Sequence, residues 1–309
     1  MEQINSKQDL INYFEKGCKK ENQLCIGVEH EKFIFDNLTN QRINFETVSK
    51  IFNFLEQFGW KPIKEKDYVI GLSREGQSIT LEPGNQIELS GAKLNSVHLN
   101  CSESYKYLDE LRKACKKLNL KMMSVSFDPF TKLENVPQTP KQRYEIMTKE
   151  MPKDGKLSLH MMYQTCGTQI NLDYMSEKDF IKKFKLSSFL VPISTAIFAN
   201  SPIVENSLSG YLSYRSKVWQ NTSRAGLPKS FLEDMDFEKY TDFVINMPLL
   251  FVLKNSQYLN AEGKKFKDFM DGKLSILKNI KPNIVDFKNH LATIFTEVRL
   301  KEYIEIRSL

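Results

Sequence analysis

The sequence predicts an α+β domain built on an antiparallel sheet, and three observations support this. Strand-like and helix-like stretches are intermixed without the regular β-α-β alternation that parallel sheets require. Several strand-like stretches alternate apolar with polar residues, which is typical of sheets that have one packed face. The 309 residues are 41% hydrophobic and 27% charged. These values are ordinary for a globular protein, so disorder and collagen-like structure are excluded.

Hydrophobic periodicity places the individual elements. Apolar residues recur at helical spacing in eight segments: 6–17, 46–58, 96–118, 177–186, 187–199, 229–241, 264–271 and 284–295. Alternation or β-rich composition predicts seven strands: 24–36, 68–72, 77–82, 86–91, 121–126, 165–173 and 297–307.

The segment SITLEPGNQIELS predicts a β-hairpin. Strands 78–82 and 86–90 flank the turn Pro83-Gly84-Asn85, in which Gly84 is available for a positive φ. This register places Thr80 opposite Glu88. One face is then apolar, and the other carries the amide and the carboxylates: Ser78, Thr80, Glu82, Gln86, Glu88 and Ser90.

Three further strands also concentrate functional groups on one face, because alternate strand residues point the same way. Glu29 and Glu31 share a face of strand 24–36, about 6.6 Å apart. Strand 165–173 presents Thr165, Gln169, Asn171 and Asp173. If 297–307 is one strand, a single side carries Glu297, Arg299, Lys301, Tyr303, Glu305 and Arg307.

These polar faces have two interpretations. Any one of them could be a solvated outer face, but such faces should use the abundant lysine, whereas these use glutamate, amides and arginine. Carboxylates gathered on one sheet repel one another unless cations neutralise them. Mg²⁺ accepts oxygen ligands and also binds substrate phosphates, while arginine contacts phosphate or carboxylate with a bidentate fork. We therefore favour the hypothesis that these polar faces form a site for a nucleotide and its metal ion.

The sequence gives little support to other functional classes. The sequence has no phosphate-binding glycine loop of the P-loop or Rossmann type and no protein-kinase signature. The net charge of +6 comes from scattered lysines without interleaved aromatics, so no nucleic-acid partner is expected. The apolar segment Leu186–Val204 is broken by Pro192, Asn200 and Pro202, so no membrane span is expected. Five cysteines without a CxxC pair, and a polar N-terminus, predict a cytoplasmic protein.

Six segments, in order along nearly the whole chain, resemble the glutamate–cysteine ligase family in its plant and proteobacterial form. They are GVEHEKF (27–33), GQSITLEPGNQIELSGA (76–92), RYEIM (143–147), FANSP (198–202), GYLSYRSKVW (210–219) and HLATIFTEVRLKEYIEIR (290–307). The resemblance implies a glutamine synthetase-like fold, with a curved antiparallel sheet and packed helices. It also implies ATP-dependent joining of L-glutamate to L-cysteine through a γ-glutamyl phosphate, the first step of glutathione biosynthesis.

The same resemblance implies roles for individual residues. Glu29 and Glu31 resemble Mg²⁺ ligands, and Arg307 a phosphate-contacting arginine. Further metal or substrate-amine ligands are expected among Glu82, Glu88, Glu305 and Glu297. The pairs Glu297–Arg299 and Glu305–Arg307 are equivalent in pattern, so either could hold the metal and ATP. Arg215 resembles the arginine that binds the glutamate α-carboxylate, and other substrate contacts are expected from Tyr211, Gln169, Asn171 and Arg143.

Several alternatives stay open at this point. A homologue could use another amine acceptor, or could be a non-catalytic glutamate- or nucleotide-binding relative. Residues 1–309 are expected to form a single catalytic domain that is incomplete at the C-terminus, because family members continue beyond the segment resembling YIEIR. The expected state is a monomer or homodimer.

Overall fold

The computed structural model describes residues 3–222 and 224–308. Within them the α-helices are α1 (Lys7–Glu15), α2 (Phe45–Leu55), α3 (Val97–Lys117), α4 (Gln142–Glu150), α5 (Ser158–Gln164), α6 (Glu177–Ile197), α7 (Tyr214–Gln220), α8 (Phe237–Asn246), α9 (Phe266–Met270) and α10 (Ile284–Leu291). The strands are β1 (Ile26–Asp36), β2 (Lys61–Glu65), β3 (Tyr68–Arg74), β4 (Gln77–Leu81), β5 (Ile87–Ser90), β6 (Leu120–Met123), β7 (Thr168–Leu172), β8 (Ile203–Val204), β9 (Ser207–Leu208), β10 (Ala225–Gly226), β11 (Phe251–Lys254), β12 (Gln257–Asn260), β13 (Phe295–Thr296), β14 (Val298–Leu300) and β15 (Ile304–Ile306).

Nine strands form one large sheet in the order β14-β15-β7-β1-β5-β4-β3-β2, with β6 pairing to the second half of β1. Every pairing within it is antiparallel. The central strand β1 lies between β5 and β7, so it brings the N-terminal hairpin and the C-terminal strands together. The predicted α+β class with an antiparallel sheet is confirmed.

The predicted hairpin register is also confirmed, since Thr80 lies opposite Glu88 in the pairing of β4 with β5. The turn differs from the prediction: Asn85, not Gly84, adopts the positive φ, at 58°. Gly84 is needed for a different reason. A Cβ there would lie 2.5 Å from the backbone oxygen of Tyr163 and 2.9 Å from a methyl of Val136.

One face of this half of the sheet packs on α2 and α3. Asn44 caps α2 by accepting a hydrogen bond from the Thr47 backbone N–H. The buried residues of α2 recur at i, i+3, i+4 and i+7. They join the inner residues of the hairpin in one core: Val48, Ile51, Phe52, Leu55, Ile79, Leu81, Ile87 and Leu89. Burial of each such side chain contributes about 1.5–3 kcal/mol.

The other half of the same face packs on α1, α6, α8 and α10. Phe14, Phe180, Phe184 and Tyr240 are completely buried there beside the apolar residues of β14 and β15. The two helices predicted at 177–186 and 187–199 are a single helix, α6, which continues through Pro192. Among the helices formed by residues 3–222 and 224–308, none has the length and hydropathy needed to cross a membrane.

Several elements depart from the sequence prediction. The segment 229–241 divides into a 3-10 turn, Lys229–Leu232, and helix α8, which begins only after Asp236 caps it. Helices α4, α5 and α7 and strands β2, β11 and β12 were not predicted. The segment 297–307 is not one strand: it turns back on itself at 301–303 to form the β14–β15 hairpin.

Candidate active site

The face of the sheet opposite α2 and α3 carries a row of carboxylates. Glu29 and Glu31 on β1, Glu88 on β5 and Glu82 at the hairpin turn line one cavity of about 230 Å³. Glu31 and Glu88 are direct cross-strand partners. Such partners have Cβ atoms about 5 Å apart, so their charges interact strongly. The predicted acidic face is thus assembled, and four of the predicted carboxylates share one cavity.

Hydrogen bonds from β7 and from the residue before it orient the two carboxylates of β1. Glu31 accepts from the backbone N–H of Gly167 at 2.7 Å and from Nε2 of Gln169 at 3.0 Å. Glu29 accepts from Nδ2 of Asn171 at 2.8 Å. These bonds explain why amides occur on the same face of β7 as the glutamates of β1.

The surroundings raise the pKa of two carboxyl groups in this row. Burial, followed by the charge of Glu82, raises the pKa of Glu31 to about 7, although Arg307 and Arg215 partly oppose the shift. Burial and then the charges of its acidic neighbours raise the pKa of Glu88 well above its ordinary value. From the described residues, Glu88 accepts a single side-chain hydrogen bond, from Thr80 Oγ1 at 2.7 Å. A bound cation would stabilise the ionised forms of both groups.

The β14–β15 hairpin places three cations around one buried carboxylate, Glu305. Arg299 is its cross-strand partner, and its Nη2 lies 2.5 Å from Glu305 Oε1. The ammonium of Lys301 lies 2.6 Å from Oε2, and Arg307 Nη1 also contacts Oε1. Burial alone would raise the pKa of Glu305, but these three cations hold it well below its usual range.

Arg307 connects this cluster to the acidic row. Its Nη1 donates to Gln169 Oε1 at 2.5 Å, and Gln169 in turn donates to Glu31. Arg215 on α7 is buried behind it and donates from Nη2 to the backbone oxygen of Arg307 at 2.7 Å. Both guanidinium groups lie over the ring of Trp219, at 4.5 Å for Arg215 and 5.3 Å for Arg307. Arg307 lines the cavity, together with Arg299 and Lys301.

The opposite wall of the cavity comes from α4, the β11–β12 hairpin, the end of α10 and the segment after it. Arg143 donates from Nη2 to the hydroxyl of Tyr144 at 3.3 Å, and that hydroxyl donates to the backbone oxygen of Leu81 at 2.8 Å. Apolar and amide side chains complete the wall: Met147, Phe251, Tyr258, Asn289, Thr293 and Phe295. A cavity that combines charged side chains with apolar and aromatic ones (Met147, Phe251, Tyr258 and Phe295) suits a ligand that has both phosphates and an apolar ring.

Sequence reasoning missed most of this opposite wall. Tyr144 adjoins Arg143, and Lys301 shares a strand face with Arg299, so both had a signal in the sequence. Phe251, Tyr258 and Asn289 had none, because they reach the cavity from elements distant in sequence.

Five predicted site residues are not among the described residues that line this cavity. Asn171, Arg215 and Glu305 lie behind it, where they contact Glu29, Arg307 and the hairpin cations respectively. Glu297 lines a second cavity. Tyr211 is 46% exposed in the segment before α7, with its ring 6.2 Å from that of Tyr214.

The donor set suits a hard divalent cation that also binds phosphate. Among the described residues no three carboxylate, imidazole or thiolate groups are already arranged as a metal site. Hydrogen bonds from Gly167, Gln169, Asn171 and Thr80 orient three of the four carboxylates. Mg²⁺ commonly takes only one or two protein carboxylates and completes its shell with substrate phosphates and water. The residues present therefore fit Mg²⁺ that arrives with a nucleotide.

Comparison with known proteins agrees with this geometry. The family model described as Glutamate-cysteine ligase family 2 (GCS2) matches residues 25–309. The chain is 44% identical to the chloroplastic glutamate–cysteine ligase of Nicotiana tabacum over 306 residues, which is 98% of this chain and 59% of that protein. It is 42% identical to the chloroplastic enzyme of Medicago truncatula and 44% identical to chloroplastic enzyme A of Oryza sativa subsp. japonica, again over 98% of this chain and over 60% and 62% of those proteins.

The chain thus spans about 60% of the length of these curated relatives. The comparison also corrects one expectation. The cytoplasmic location predicted from the N-terminus and the cysteines is wrong, since these relatives are all chloroplastic proteins by name.

Proposed function

Because the chain belongs to the glutamate–cysteine ligase family 2, we propose that it joins the γ-carboxylate of L-glutamate to the amine of L-cysteine at the expense of ATP. The reaction proceeds through a γ-glutamyl phosphate and is the first step of glutathione biosynthesis. The observation that carries the proposal is the row of four glutamates in one cavity, flanked by Arg299, Lys301 and Arg307. We further propose that the sheet is glutamine synthetase-like and that residues 1–309 act as one catalytic domain.

The chemistry requires positioning and charge neutralisation more than a covalent protein nucleophile. Glu29, Glu31, Glu82 and Glu88 are the proposed ligands of Mg²⁺, with the last two also able to bind a substrate amine. The metal would neutralise negative charge on the ATP phosphates and on the phosphoryl group in transfer. The raised pKa values of Glu31 and Glu88 support this assignment, because repelling carboxylates favour a bound cation.

Arg307 and Arg299 are the proposed phosphate contacts. Arg307 is well placed for this role, because Glu305 and Gln169 fix its guanidinium at the cavity wall. The contacts of Glu305 favour a positioning role over metal ligation, since both of its oxygens face hairpin cations. Glu305 contacts both Arg299 and Arg307, and both arginines line the cavity, whereas Glu297 lines a different one. Of the two glutamates, Glu305 is therefore the one proposed to orient the phosphate-binding arginines.

Substrate glutamate is proposed to bind through Arg215, whose planar fork suits a carboxylate. The buried Nε of Arg215 has no hydrogen-bond partner among the described residues, so this N–H group could donate to a ligand. Arg143 and Gln169 are proposed as further substrate contacts from opposite walls. Asn171 acts through Glu29. Tyr211 lies on a segment that would have to move to reach the substrate.

The test is ADP release from the purified chain with MgATP, L-glutamate and L-cysteine, with the product identified by mass spectrometry. Cysteine-dependent ADP release together with γ-glutamylcysteine supports the proposal. Glu29→Gln should abolish that turnover, whereas the matched change Glu46→Gln, at an exposed residue that pairs with Lys50, should leave it unchanged. Absence of cysteine-dependent ADP release from the parent chain overturns the proposal.

A further inference from the structure

Glu82 differs from the other three glutamates of the acidic row, because no neighbouring group holds its carboxylate. Hydrogen bonds orient the carboxylates of Glu29, Glu31 and Glu88. Among the described residues, none donates a hydrogen bond to the carboxylate of Glu82 or forms an ion pair with it. The position of this carboxylate in the cavity is therefore set by the backbone of the turn between β4 and β5, to which Glu82 belongs.

The segment at the start of α4 binds this turn at three consecutive carbonyl oxygens. The oxygen of Leu81 accepts a hydrogen bond from Nζ of Lys141 at 2.7 Å. The backbone oxygen of Glu82 accepts from the hydroxyl of Thr139 at 2.6 Å. The oxygen of Pro83 accepts from the backbone N–H of Thr139 at 2.9 Å. The backbone on both sides of Glu82 is thus fixed by two residues that lie close together in the sequence.

Thr139 makes the contact at Glu82 itself. Its hydroxyl lies inside the turn, where it is also 2.8 Å from Oδ1 of Asn85 and 3.2 Å from the backbone nitrogen of Asn85. The residue is only 3% exposed. Loss of the hydroxyl would leave buried polar groups of the turn without this partner, which costs free energy. We therefore expect the turn to shift when the hydroxyl is removed.

The contacts of Thr139 and Lys141 also join the two walls of the candidate active-site cavity. Both residues lie at the start of α4, which carries Arg143 to the opposite wall. Neither Thr139 nor Lys141 is among the described residues that line the cavity. They hold Glu82 from outside and leave the cavity side of its carboxylate free to bind a cation. Such support is needed, because a metal ligand has to be held within about 0.5 Å of its working position.

We propose that Thr139 is a positioning residue for Glu82. Its hydroxyl fixes the backbone of Glu82 and thereby the direction from which the carboxylate reaches the metal. This inference rests on the proposed function only for the assignment of Glu82 as a metal ligand. Residues that orient metal ligands typically account for about 10- to 100-fold in metal affinity. Because Thr139 acts through the backbone, we expect the lower end of that range, about 10-fold.

The experiment measures Mn²⁺ binding by electron paramagnetic resonance in the presence of a non-hydrolysable ATP analogue. Mn²⁺ is the probe because it accepts the same oxygen ligands as Mg²⁺ and gives a direct signal. Thr139→Val removes the hydroxyl at nearly constant volume and should raise the dissociation constant for Mn²⁺ about 10-fold. Thr139→Ser keeps the hydroxyl and should restore binding to about the affinity of the parent chain.

Two controls separate positioning from a general loss of stability. Thr241 is completely buried in α8, its hydroxyl donates to the backbone oxygen of Phe237 at 2.7 Å, and it is not among the described residues that line the cavity. Thr139→Val and Thr241→Val should both lower the melting temperature, but only Thr139→Val should weaken Mn²⁺ binding. The second control is Glu82→Gln. In that background Thr139→Val should have no further effect on Mn²⁺ binding, because the ligand through which Thr139 acts is already lost.

The outcomes separate this inference from the proposed function. An unchanged Mn²⁺ dissociation constant in Thr139→Val overturns the inference, even if the parent chain makes γ-glutamylcysteine. Equal weakening with and without Glu82→Gln also overturns it, because Thr139 would then act by another route. Failure of Thr139→Ser to bind Mn²⁺ more tightly than Thr139→Val overturns it as well, and so does a parent chain that binds no Mn²⁺. Mn²⁺ binding that depends on Thr139 and Glu82, without any turnover, supports the positioning role and contradicts the ligase proposal.

Discussion

The raised pKa of Glu31 predicts a stability effect that depends on pH. Its carboxyl group titrates near 7 in the folded protein, against 4.5 for an ordinary glutamate. The folded state therefore holds a proton that the unfolded chain releases between pH 4.5 and 7, and the free energy of unfolding falls as pH rises through that window. The change Glu31→Gln removes this titration.

The full rise from 4.5 to about 7 is equivalent to about 3.4 kcal/mol. Roughly 2.5 kcal/mol of this develops between pH 5 and pH 8.5, because part of the penalty is already present at pH 5. The side chain keeps some contact with solvent, so we expect a smaller effect, about 1–2.5 kcal/mol. The hydrogen bond from Gly167 favours the ionised form of Glu31, and its pH-dependent effect is already contained in the net pKa of about 7.

The assay is urea unfolding at pH 5 and pH 8.5, followed by tryptophan fluorescence. Relative to the parent chain, Glu31→Gln should gain about 1–2.5 kcal/mol more at pH 8.5 than at pH 5. Glu46→Gln is the matched control. Lys50 lowers the pKa of Glu46, so no gain at high pH is expected there. A pH-independent effect of Glu31→Gln, or a larger gain at pH 5, would refute the electrostatic reasoning about the acidic row.

Three further predictions follow from the same site. Glu88→Gln should abolish ADP release yet raise the melting temperature at neutral pH, because it removes a carboxyl group whose pKa is raised by burial and by neighbouring carboxylates; near-normal turnover excludes Glu88 from the metal site. Arg215→Lys should raise the KM for L-glutamate about 10- to 100-fold with little change in the KM for ATP, since a bidentate contact is lost; an unchanged glutamate KM removes Arg215 from the substrate site. Glu305→Gln should lower the free energy of unfolding in urea by about 3–5 kcal/mol, because three cations lose their buried partner; a loss under 1 kcal/mol contradicts that account.

Local signals in the sequence were sufficient for part of the fold. Apolar and polar residues alternate strictly on both sides of the Pro-Gly-Asn turn between β4 and β5. The hairpin register, and the face of the sheet that carries Glu82 and Glu88, could therefore be predicted. The glutamates of β1 share a face by the same alternation. Alternation does not determine the order of the strands in the sheet. Strand β7 pairs with β1 and β15 pairs with β7 through contacts between residues more than 100 positions apart in the sequence.

Two misses have specific physical causes. The turn between β14 and β15 is formed by Lys301, Glu302 and Tyr303, none of which is a usual turn residue, so the segment resembled one continuous strand. Helix α4 has no side-chain N-cap and buries only Tyr144, Met147 and Glu150, so its periodic signal is weak. Both segments contribute to the cavity, where tertiary contacts override local preference.

The strand order also has a consequence for biosynthesis. Strand β15 pairs with β7, yet it is translated about 130 residues later. At roughly 5–20 residues per second, the nascent chain carries β7 with an unpaired edge for roughly 7–26 s. During that time the edge can recruit a strand from another chain. Arg307, which follows β15, cannot meet Gln169 until this gap closes, so the candidate active-site cavity stays incomplete until then.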